Sequence, residues 1–263
     1  MEALVLVDAN NWLHRFHHGM PPQIHHGRNV AAVRGLRDLA GRLARQLAPA
    51  AILAVFDGGD GGRTALFPSY KSGRAETPPE LAYQIDLARE HLPRLGTATT
   101  RVDGFEADDV IAALAGPARA AGRAVHIVSG DKDLCALVAD RHPAVVIHAK
   151  RGEEWQVFRE ADVQARLGVA PPFVLDLLAL AGDGSDGIPG VPGIGPKTAA
   201  ELLRAHGALE PVLRAAPSMG NERRRMALVE HAEAVRLYRR VLDFAPVPFD
   251  TLQASTWSAT RRS

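Results

Sequence analysis

The chain has 263 residues, of which 46% are hydrophobic and 23% charged, and its formal net charge at pH 7 is +1. That length allows a full hydrophobic core in one large domain, or in a domain with an appended subdomain. The single cysteine, Cys135, excludes an internal disulfide framework and a cysteine-based zinc site, and we expect a core thiol there. The N-terminal residues lack a signal-peptide pattern, and no run approaches the ~20 apolar residues of a membrane span. We therefore expect a cytoplasmic protein that contacts no membrane.

Short apolar runs alternate with helical patterns along the first part of the chain. Four runs have the pattern of buried strands: residues 3–7, 50–56, 124–128 and 144–148. Helical spacing or composition marks three further stretches: residues 30–47, 105–114 and 134–139. This order predicts a doubly wound α/β fold with a central parallel sheet. Asp8, Asp57 and Asp131 follow predicted strands, so they should lie at the carboxyl edge of that sheet, where ligands collect.

Nine carboxylates stand where predicted strands or helices end: Asp8, Asp57, Glu106, Asp108, Asp109, Asp131, Asp133, Asp183 and Asp186. Acids packed so closely repel one another unless cations lie among them. Oxygen-rich sites suit Mg²⁺ or Mn²⁺, and two such ions can hold the attacking and leaving oxygens of a phosphodiester. The alternative for Glu106, Asp108 and Asp109 is helix capping, because acids in a first turn complement the helix dipole. The full set indicates a metal-dependent nuclease.

From residue 171 onward, short helices are separated by glycines and prolines. One such break leads into a helix, and its residues are Gly190, Gly193, Gly195, Pro196, Lys197 and Thr198. Backbone N–H groups and a helix N-terminus are exposed together there, which predicts a phosphate-binding hairpin of two helices that is indifferent to base sequence. The arginines that follow are either solvated helix faces or further phosphate contacts: Arg223, Arg224, Arg225, Arg236, Arg239 and Arg240.

Taken together, these stretches resemble the 5′–3′ exonuclease/flap endonuclease family, in particular the N-terminal nuclease domain of bacterial DNA polymerase I and its free-standing relatives. The matching motifs are VDANN at Asp8, FDGG at Asp57, LFPSYKSGR at 66–74, DGFEADDVIA at 103–112, IVSGDKDL at 127–134 and LAGDGSDGIPGVPGIGPKTAAELL at 180–203. The resemblance implies a PIN/FEN-like parallel sheet flanked by helices, a helical arch at about 63–95 and a helix–three-turn–helix at about 187–203. The implied domains are an α/β nuclease domain over 1–165, a helical DNA-binding subdomain over 166–250 and a tail over 251–263.

The resemblance also implies roles for individual residues. All nine acids would be metal-site carboxylates, and the residues implied in catalysis are Asp8, Asp57, Lys71, Arg74 and Asp131. One ion is expected beside Asp8, Asp57, Glu106 and Asp108, where it would activate a water, and a second beside Asp131, Asp133, Asp183 and Asp186. Lys71 and Arg74 would face the scissile phosphate. The implied DNA contacts are Arg15, Tyr70, Lys71, Arg74, Gly193, Gly195, Lys197 and Thr198.

The implied cofactors are two or more Mg²⁺ ions, replaceable by Mn²⁺, and a K⁺ ion at the helix–three-turn–helix. The implied partner is DNA with a 5′ flap, nick, gap or recessed end, or an RNA primer on DNA, bound by a monomer. Gly187 stands where the family usually has Asn, which bears on a side-chain hydrogen bond near Asp186 and not on the metal ligands.

Two other functions stay open from the sequence. One is a catalytically silent DNA-structure-binding protein of the same fold. The other is a PIN-class RNase, a class with fewer acids and without the helix–three-turn–helix. The early histidines suggest a transition-metal site, but neighbouring side chains point in different directions on any regular element, so we expect loop or surface residues. These histidines are His14, His17, His18, His25 and His26.

Overall fold

The structure, a computed structural model, describes residues 3–141, 145–151 and 154–248. The predicted tail, 251–263, lies outside the described residues. In chain order the strands are β1 (Leu4–Asp8), β2 (Ile24–His25), β3 (Arg28–Asn29), β4 (Ala51–Phe56), β5 (Ala98–Arg101), β6 (Val125–Val128), β7 (Val145–Arg151) and β8 (Glu154–Phe158). The helices are α1 (Ala9–Gly19), α2 (Ala31–Leu47), α3 (Arg63–Leu66), α4 (Pro79–His91), α5 (Ala107–Ala120), α6 (Glu160–Leu167), α7 (Val174–Ala181), α8 (Pro196–His206), α9 (Leu209–Ala215), α10 (Glu222–Glu230) and α11 (Ala232–Leu242).

A mostly parallel sheet with the strand order β5-β4-β1-β6-β7-β8 organises the fold. Only β8 runs antiparallel within the described sheet, alongside β7. The predicted α/β class is confirmed, and each of the four predicted apolar runs overlaps a strand. The sequence pattern missed β5 and β8, and the stretch predicted as helix-like at 134–139 is a 3₁₀ turn over Asp133–Leu137.

Both faces of the sheet are covered, which explains the near-continuous apolar runs in its central strands. On one face, α1 and α2 bury Trp12, Leu36 and Leu39 against the sheet. On the other face, α5 buries Val110 and Ile111 in a core that continues without a break into α7 and the later helices. The C-terminal helices therefore share one core with the sheet, and this fixes the loop between α7 and α8 beside the sheet's carboxyl edge.

The segment expected to form the arch, about 63–95, is helical at both ends. It consists of α3, a run of turns, and α4, whose Leu81 and Ala88 are buried against the layer formed by α1 and α2. Between the helices, the backbone N–H of Lys71 donates to the carbonyl oxygen of Asp186 at 3.0 Å. The turns are thereby attached to the loop that follows α7.

No single helix among the described residues is long and apolar enough to cross a membrane. A pair, Glu160–Leu167 with Pro171–Ala181, meets the length and composition criterion, but it is bent by 42°. The second member contains α7, whose residues from Val174 to Leu180 are all buried in the core.

Candidate metal centre and nucleic-acid interface

Acidic side chains converge at the carboxyl edge of the sheet, where they accept hydrogen bonds from neighbouring elements. Asp8 ends β1 and accepts from the backbone N–H of Asn11 at 3.1 Å and from the Ser129 hydroxyl, just after β6, at 2.8 Å. Asp57 follows β4, and its carboxylate accepts from the backbone N–H of Ala107 at 2.9 Å. Three strands and the N-terminus of α5 are therefore held in one arrangement around these carboxylates.

Burial and neighbouring negative charges raise the pKa values of two acids at this edge of the sheet. Burial raises the pKa of Asp8 to about 7, and the negative charges of Asp57 and Asp131 add to the effect. Burial likewise raises the pKa of Asp108, with the neighbouring Asp109 as the next cause. A further positive charge nearby would oppose both shifts, because it favours the ionised form.

A second acidic group, formed by Asp133, Asp183 and Asp186, lies where the loops after β6 and α7 meet. One ligand oxygen from each lies within 4.8 Å of the other two. Asp131 orients this group, since its Oδ1 accepts from the backbone N–H of Asp133 at 3.0 Å. Within the described part of the chain, Asp133 Oδ1 is buried without a hydrogen-bond partner. Such an oxygen is costly to bury unless a cation or water meets it.

Cationic side chains, among them Lys71, Arg74 and Lys132, contact these acids. Lys71 Nζ lies 2.7 Å from both carboxylate oxygens of Glu106, and Arg74 Nη2 lies 2.7 Å from Asp186 Oδ1. Lys132 Nζ lies 2.7 Å from Asp183 Oδ2 and 3.7 Å from Asp133 Oδ1. Lys132 was missing from the predicted site, although its place between two acids in the stretch IVSGDKDL was a usable signal.

Asp109 does not join either acidic group. It is fully buried, and Arg63 donates to its two oxygens at 2.7 and 2.9 Å. The backbone N–H groups of Glu106 and Ala245 donate to the same carboxylate at 3.0 and 2.6 Å. Four donors occupy the positions around the carboxylate that a metal ion would need. The geometry therefore indicates a structural role for Asp109 and not the predicted role of metal ligand. Arg63 is the partner that sequence reasoning missed.

Tyr70 also differs from its predicted place among the DNA contacts. Its ring is buried and its hydroxyl donates to Glu106 Oε2 at 2.9 Å, so it supports a carboxylate and offers no open face for stacking.

Gly187, which stands where the family usually has Asn, has a steric reason to be glycine. Its φ is +71°, and a Cβ there would lie 2.7 Å from the carbonyl oxygen of Ser69. Gly187 thus permits the close approach between the turns after α3 and the loop after α7.

The loop between α7 and α8 has the form expected of a phosphate-binding hairpin. Val191 and Ile194 are buried and anchor it, whereas Gly193, Gly195 and Lys197 are exposed. Gly195 precedes α8, and the helix opens with Pro196, Lys197 and the half-buried Thr198. The first N–H groups of a helix have no partner within it, so this end attracts anions.

The remaining basic residues divide into two kinds. Arg236 is paired with Glu210 at 2.7 Å, and Arg239 with Asp176 at 2.6 Å, so both tie helices together. Arg223 instead lies beside the hairpin loop, with its Nε 3.8 Å from the position that a Cβ on Gly193 would take. Arg15 is exposed on α1, with its guanidinium 5.4 Å from the centre of the Trp12 ring.

The early histidines and Cys135 lie outside the acidic group of Asp133, Asp183 and Asp186. In the described ranges, the only group of three or more possible metal ligands is Asp133, Asp183 and Asp186, so no histidine belongs to one. His25 and His26 lie on the β2–β3 hairpin, as expected of loop residues. Cys135 is buried, as predicted, and burial raises the pKa of its thiol to about 11.

Comparison with known proteins gives matches over nearly the whole chain. Residues 3–168 match the family described as 5′-3′ exonuclease, N-terminal resolvase-like domain, and residues 169–257 match 5′-3′ exonuclease, C-terminal SAM fold. DNA polymerase I of Bacillus caldotenax is 35% identical over 243 residues, covering 91% of this chain and 28% of that protein. DNA polymerase I of Treponema pallidum is 40% identical over 217 residues, covering 81% of this chain and 22% of that protein. The chain thus spans about a quarter of the length of these curated relatives.

Solved structures give the same fold. The zinc-bound T5 5′-exonuclease aligns with a TM-score of 0.80 at 21% identity, covering 98% of this chain and 95% of that one. The catalytic core of Rad2 in complex with a DNA substrate aligns with a TM-score of 0.59 at 17% identity, covering 97% and 88%. The second matched domain, which contains the α7–α8 hairpin, separates this chain from the PIN-class RNases considered above.

Proposed function

The chain belongs to the 5′–3′ exonuclease family, and from that premise we propose that it is a structure-specific, metal-dependent 5′ nuclease that hydrolyses phosphodiester bonds of DNA at 5′ ends, flaps or junctions. The observation that carries this proposal is the meeting of two acidic groups with the side chains of Lys71 and Arg74 at one edge of the sheet. The adjoining α7–α8 hairpin exposes Lys197 in the first turn of α8. The proposed reaction site and the proposed duplex-binding hairpin are therefore neighbouring parts of the same fold.

The acids fit divalent cations by their chemistry and by one orphaned atom. Mg²⁺ and Mn²⁺ bind oxygen ligands, and among the described residues the buried Asp133 Oδ1 has no hydrogen-bond donor, its closest cation being Lys132 Nζ at 3.7 Å. The residues that would hold one ion are Asp131, Asp133, Asp183 and Asp186, and those that would hold the other are Asp8, Asp57, Glu106 and Asp108. Bound ions would supply Lewis-acid activation of water and would neutralise charge on the phosphate. A K⁺ ion at the carbonyl groups of the α7–α8 loop belongs to the same proposal.

The protein's own contribution is to hold positive charge where the phosphate reacts. Lys71 and Arg74 are kept at the acids by ion pairs of 2.7 Å, and Tyr70 fixes the Glu106 carboxylate from the other side. An incoming phosphate can exchange with Glu106 and Asp186 for these donors. Each well-placed donor stabilises a developing phosphate charge by about 3 kcal/mol. Asp109 belongs outside the ligand set, because its carboxylate is already occupied by Arg63.

Binding of DNA is expected to rest on phosphates and not on bases. The proposed contacts are Arg15, Gly193, Gly195, Lys197, Thr198 and Arg223, which combine exposed cations with a helix N-terminus. The substrates that fit are DNA with a 5′ flap, nick, gap or recessed end, and an RNA primer on DNA. We place the protein in the cytoplasm as a monomer, with a task in replication or repair.

Cleavage of two substrates tests the proposal. A 5′-labelled flap and a 5′-recessed duplex are incubated with the protein in Mg²⁺, in Mn²⁺ and in EDTA, and product length separates internal cutting from stepwise removal of nucleotides. Cleavage should require a divalent ion and should be lost in Asp183→Asn. A matched control, Asp38→Asn, removes an exposed acid paired only with the exposed Arg37, and it should cut normally. Stable binding of the flap without any cutting in either metal would favour the silent DNA-binding protein instead.

A further inference from the structure

A cavity of about 510 Å³ lies between α2, α4 and the β2–β3 hairpin, and none of the nine acids lines it. Its apolar lining comes from Val33 on α2, Leu87 on α4, and Leu92 and Leu95 just after α4. Leu95 is 60% exposed and so presents apolar surface at the edge of this cavity. The cavity therefore offers an aliphatic floor to a ligand from outside.

The rim of this cavity is cationic. Arg28, Arg34 and Arg37 line it together with His25, His26 and His91, and among the described residues no carboxylate does. The Arg28 guanidinium lies 4.4 Å from the centre of the Tyr83 ring, and Arg34 donates to the side-chain oxygen of Gln23 at 2.9 Å. Within the described ranges neither Arg28 nor Arg34 is paired with an acid, so both charges remain available to an anionic ligand, whereas Arg37 is already paired with Asp38 at 2.7 Å.

Buried amide side chains hold the walls of the cavity in place. Asn29 accepts from the backbone N–H groups of Gln23 and Ala31, both at 3.0 Å, and so attaches the hairpin to the start of α2. Gln84, which is fully buried, accepts from the backbone N–H of Ala32 at 2.8 Å and attaches α4 to the same turn. The cavity is therefore formed before any ligand arrives, which lowers the ordering cost of binding.

We infer that this cavity binds an acidic peptide segment of a partner protein, with bulky apolar side chains on the aliphatic floor and carboxylates on the arginine rim. The arginine rim matches the charge of such a peptide, and the aliphatic floor matches its apolar side chains. Single-stranded DNA would also meet the positive rim, but such binding relies on successive aromatic platforms for its bases. Tyr83 is the only Phe, Tyr or Trp side chain in the lining, and Arg28 already lies over it, which leaves only the smaller rings of three histidines for stacking. An apolar floor suits leucine or phenylalanine side chains better than it suits nucleobases.

Fluorescence anisotropy with a labelled peptide, Glu-Asp-Glu-Asp-Gly-Leu-Phe, tests this inference on the full chain. Two control peptides replace either the acids with Lys or the Leu and Phe with Ser. The wild-type protein should bind only the first peptide saturably. Arg34→Glu and Leu87→Ser should each weaken binding by about tenfold or more. The matched control Arg45→Glu reverses an exposed charge in the last turn of the same helix, outside the cavity, and should bind as the wild type does.

Circular dichroism and flap cleavage should be unchanged in these variants, because none of the three residues belongs to the acidic centre. Absence of saturable binding up to about 1 mM peptide would overturn the inference. So would equal weakening by Arg45→Glu, which would indicate nonspecific attraction. Displacement of the peptide by unlabelled oligothymidine, with the same loss of oligothymidine binding in Arg34→Glu, would assign the cavity to single-stranded DNA.

Discussion

Replacing Arg63 with Met should destabilise the fold more than any other single change of a charged side chain proposed here. The Arg63 side chain is 5% exposed and its partner Asp109 is 0% exposed. Beyond the carboxylate, its guanidinium donates to the carbonyl oxygens of Val241 and Asp243, both at 2.9 Å, and of Asp60 at 3.2 Å. One side chain therefore joins α3, α5 and the segment after α11.

Methionine keeps much of the volume but leaves the Asp109 charge buried with only two backbone donors. Removing one partner of a buried ion pair typically costs about 3–5 kcal/mol. Since a folded domain is stable by only about 5–15 kcal/mol, Arg63→Met should lose about a fifth or more of the free energy of unfolding. Urea unfolding followed by circular dichroism measures this loss.

The matched control is Arg37→Met, which breaks an exposed pair with Asp38 and should cost about 0–1 kcal/mol. The loss in Arg63→Met should be the same in EDTA and in Mg²⁺, because Asp109 is not a metal ligand in this account. A loss no greater than that of Arg37→Met would refute the structural role. A loss seen only in Mg²⁺ would return Asp109 to the metal centre.

Three further predictions concern single lysine side chains. Lys71→Ala should lower single-turnover flap cleavage by about 100-fold with a smaller loss of affinity, because its charge acts as the phosphate reacts, and an effect on binding alone would make it an ordinary contact. Lys132→Met should tighten Mn²⁺ binding, measured by electron paramagnetic resonance, since its ammonium lies 2.7 Å from Asp183 and competes with a cation there; unchanged or weaker binding would contradict this. Lys197→Ala should weaken binding to all duplex-containing substrates equally and lower the salt slope by about one unit, as filter binding across a KCl series would show. A collapsed chemical rate with unchanged affinity would instead move Lys197 into the active centre.

The convergence of acids could be predicted because it follows from sheet geometry. Asp8, Asp57 and Asp131 follow apolar runs, and parallel strands bring their carboxyl ends to one edge. Strand β5 escaped prediction because Ala98–Arg101 reads Ala-Thr-Thr-Arg, with neither an apolar run nor clear alternation. Its identity as a strand comes from pairing with β4, a long-range contact that a local pattern does not contain.

The partners of individual acids could not be predicted for a related reason. Asp108 and Asp109 are neighbours in sequence, yet one helical step turns their side chains in different directions. Asp109 meets Arg63, which is 46 positions away along the chain, and no spacing rule links the two. Tyr70 shows the same limit: the family resemblance implied a DNA contact, whereas its hydroxyl is buried against Glu106.

The most direct test of the central claim, that the carboxylates act in the reaction by organising metal, is Asp131→Asn. Single-turnover flap cleavage in Mg²⁺ and flap binding in EDTA are measured side by side for this variant and the wild type. Cleavage should be abolished while affinity stays near that of the wild type or rises, because a carboxylate beside Asp133 does not help to hold a polyanion. Cleavage at the wild-type rate in Asp131→Asn would contradict the account.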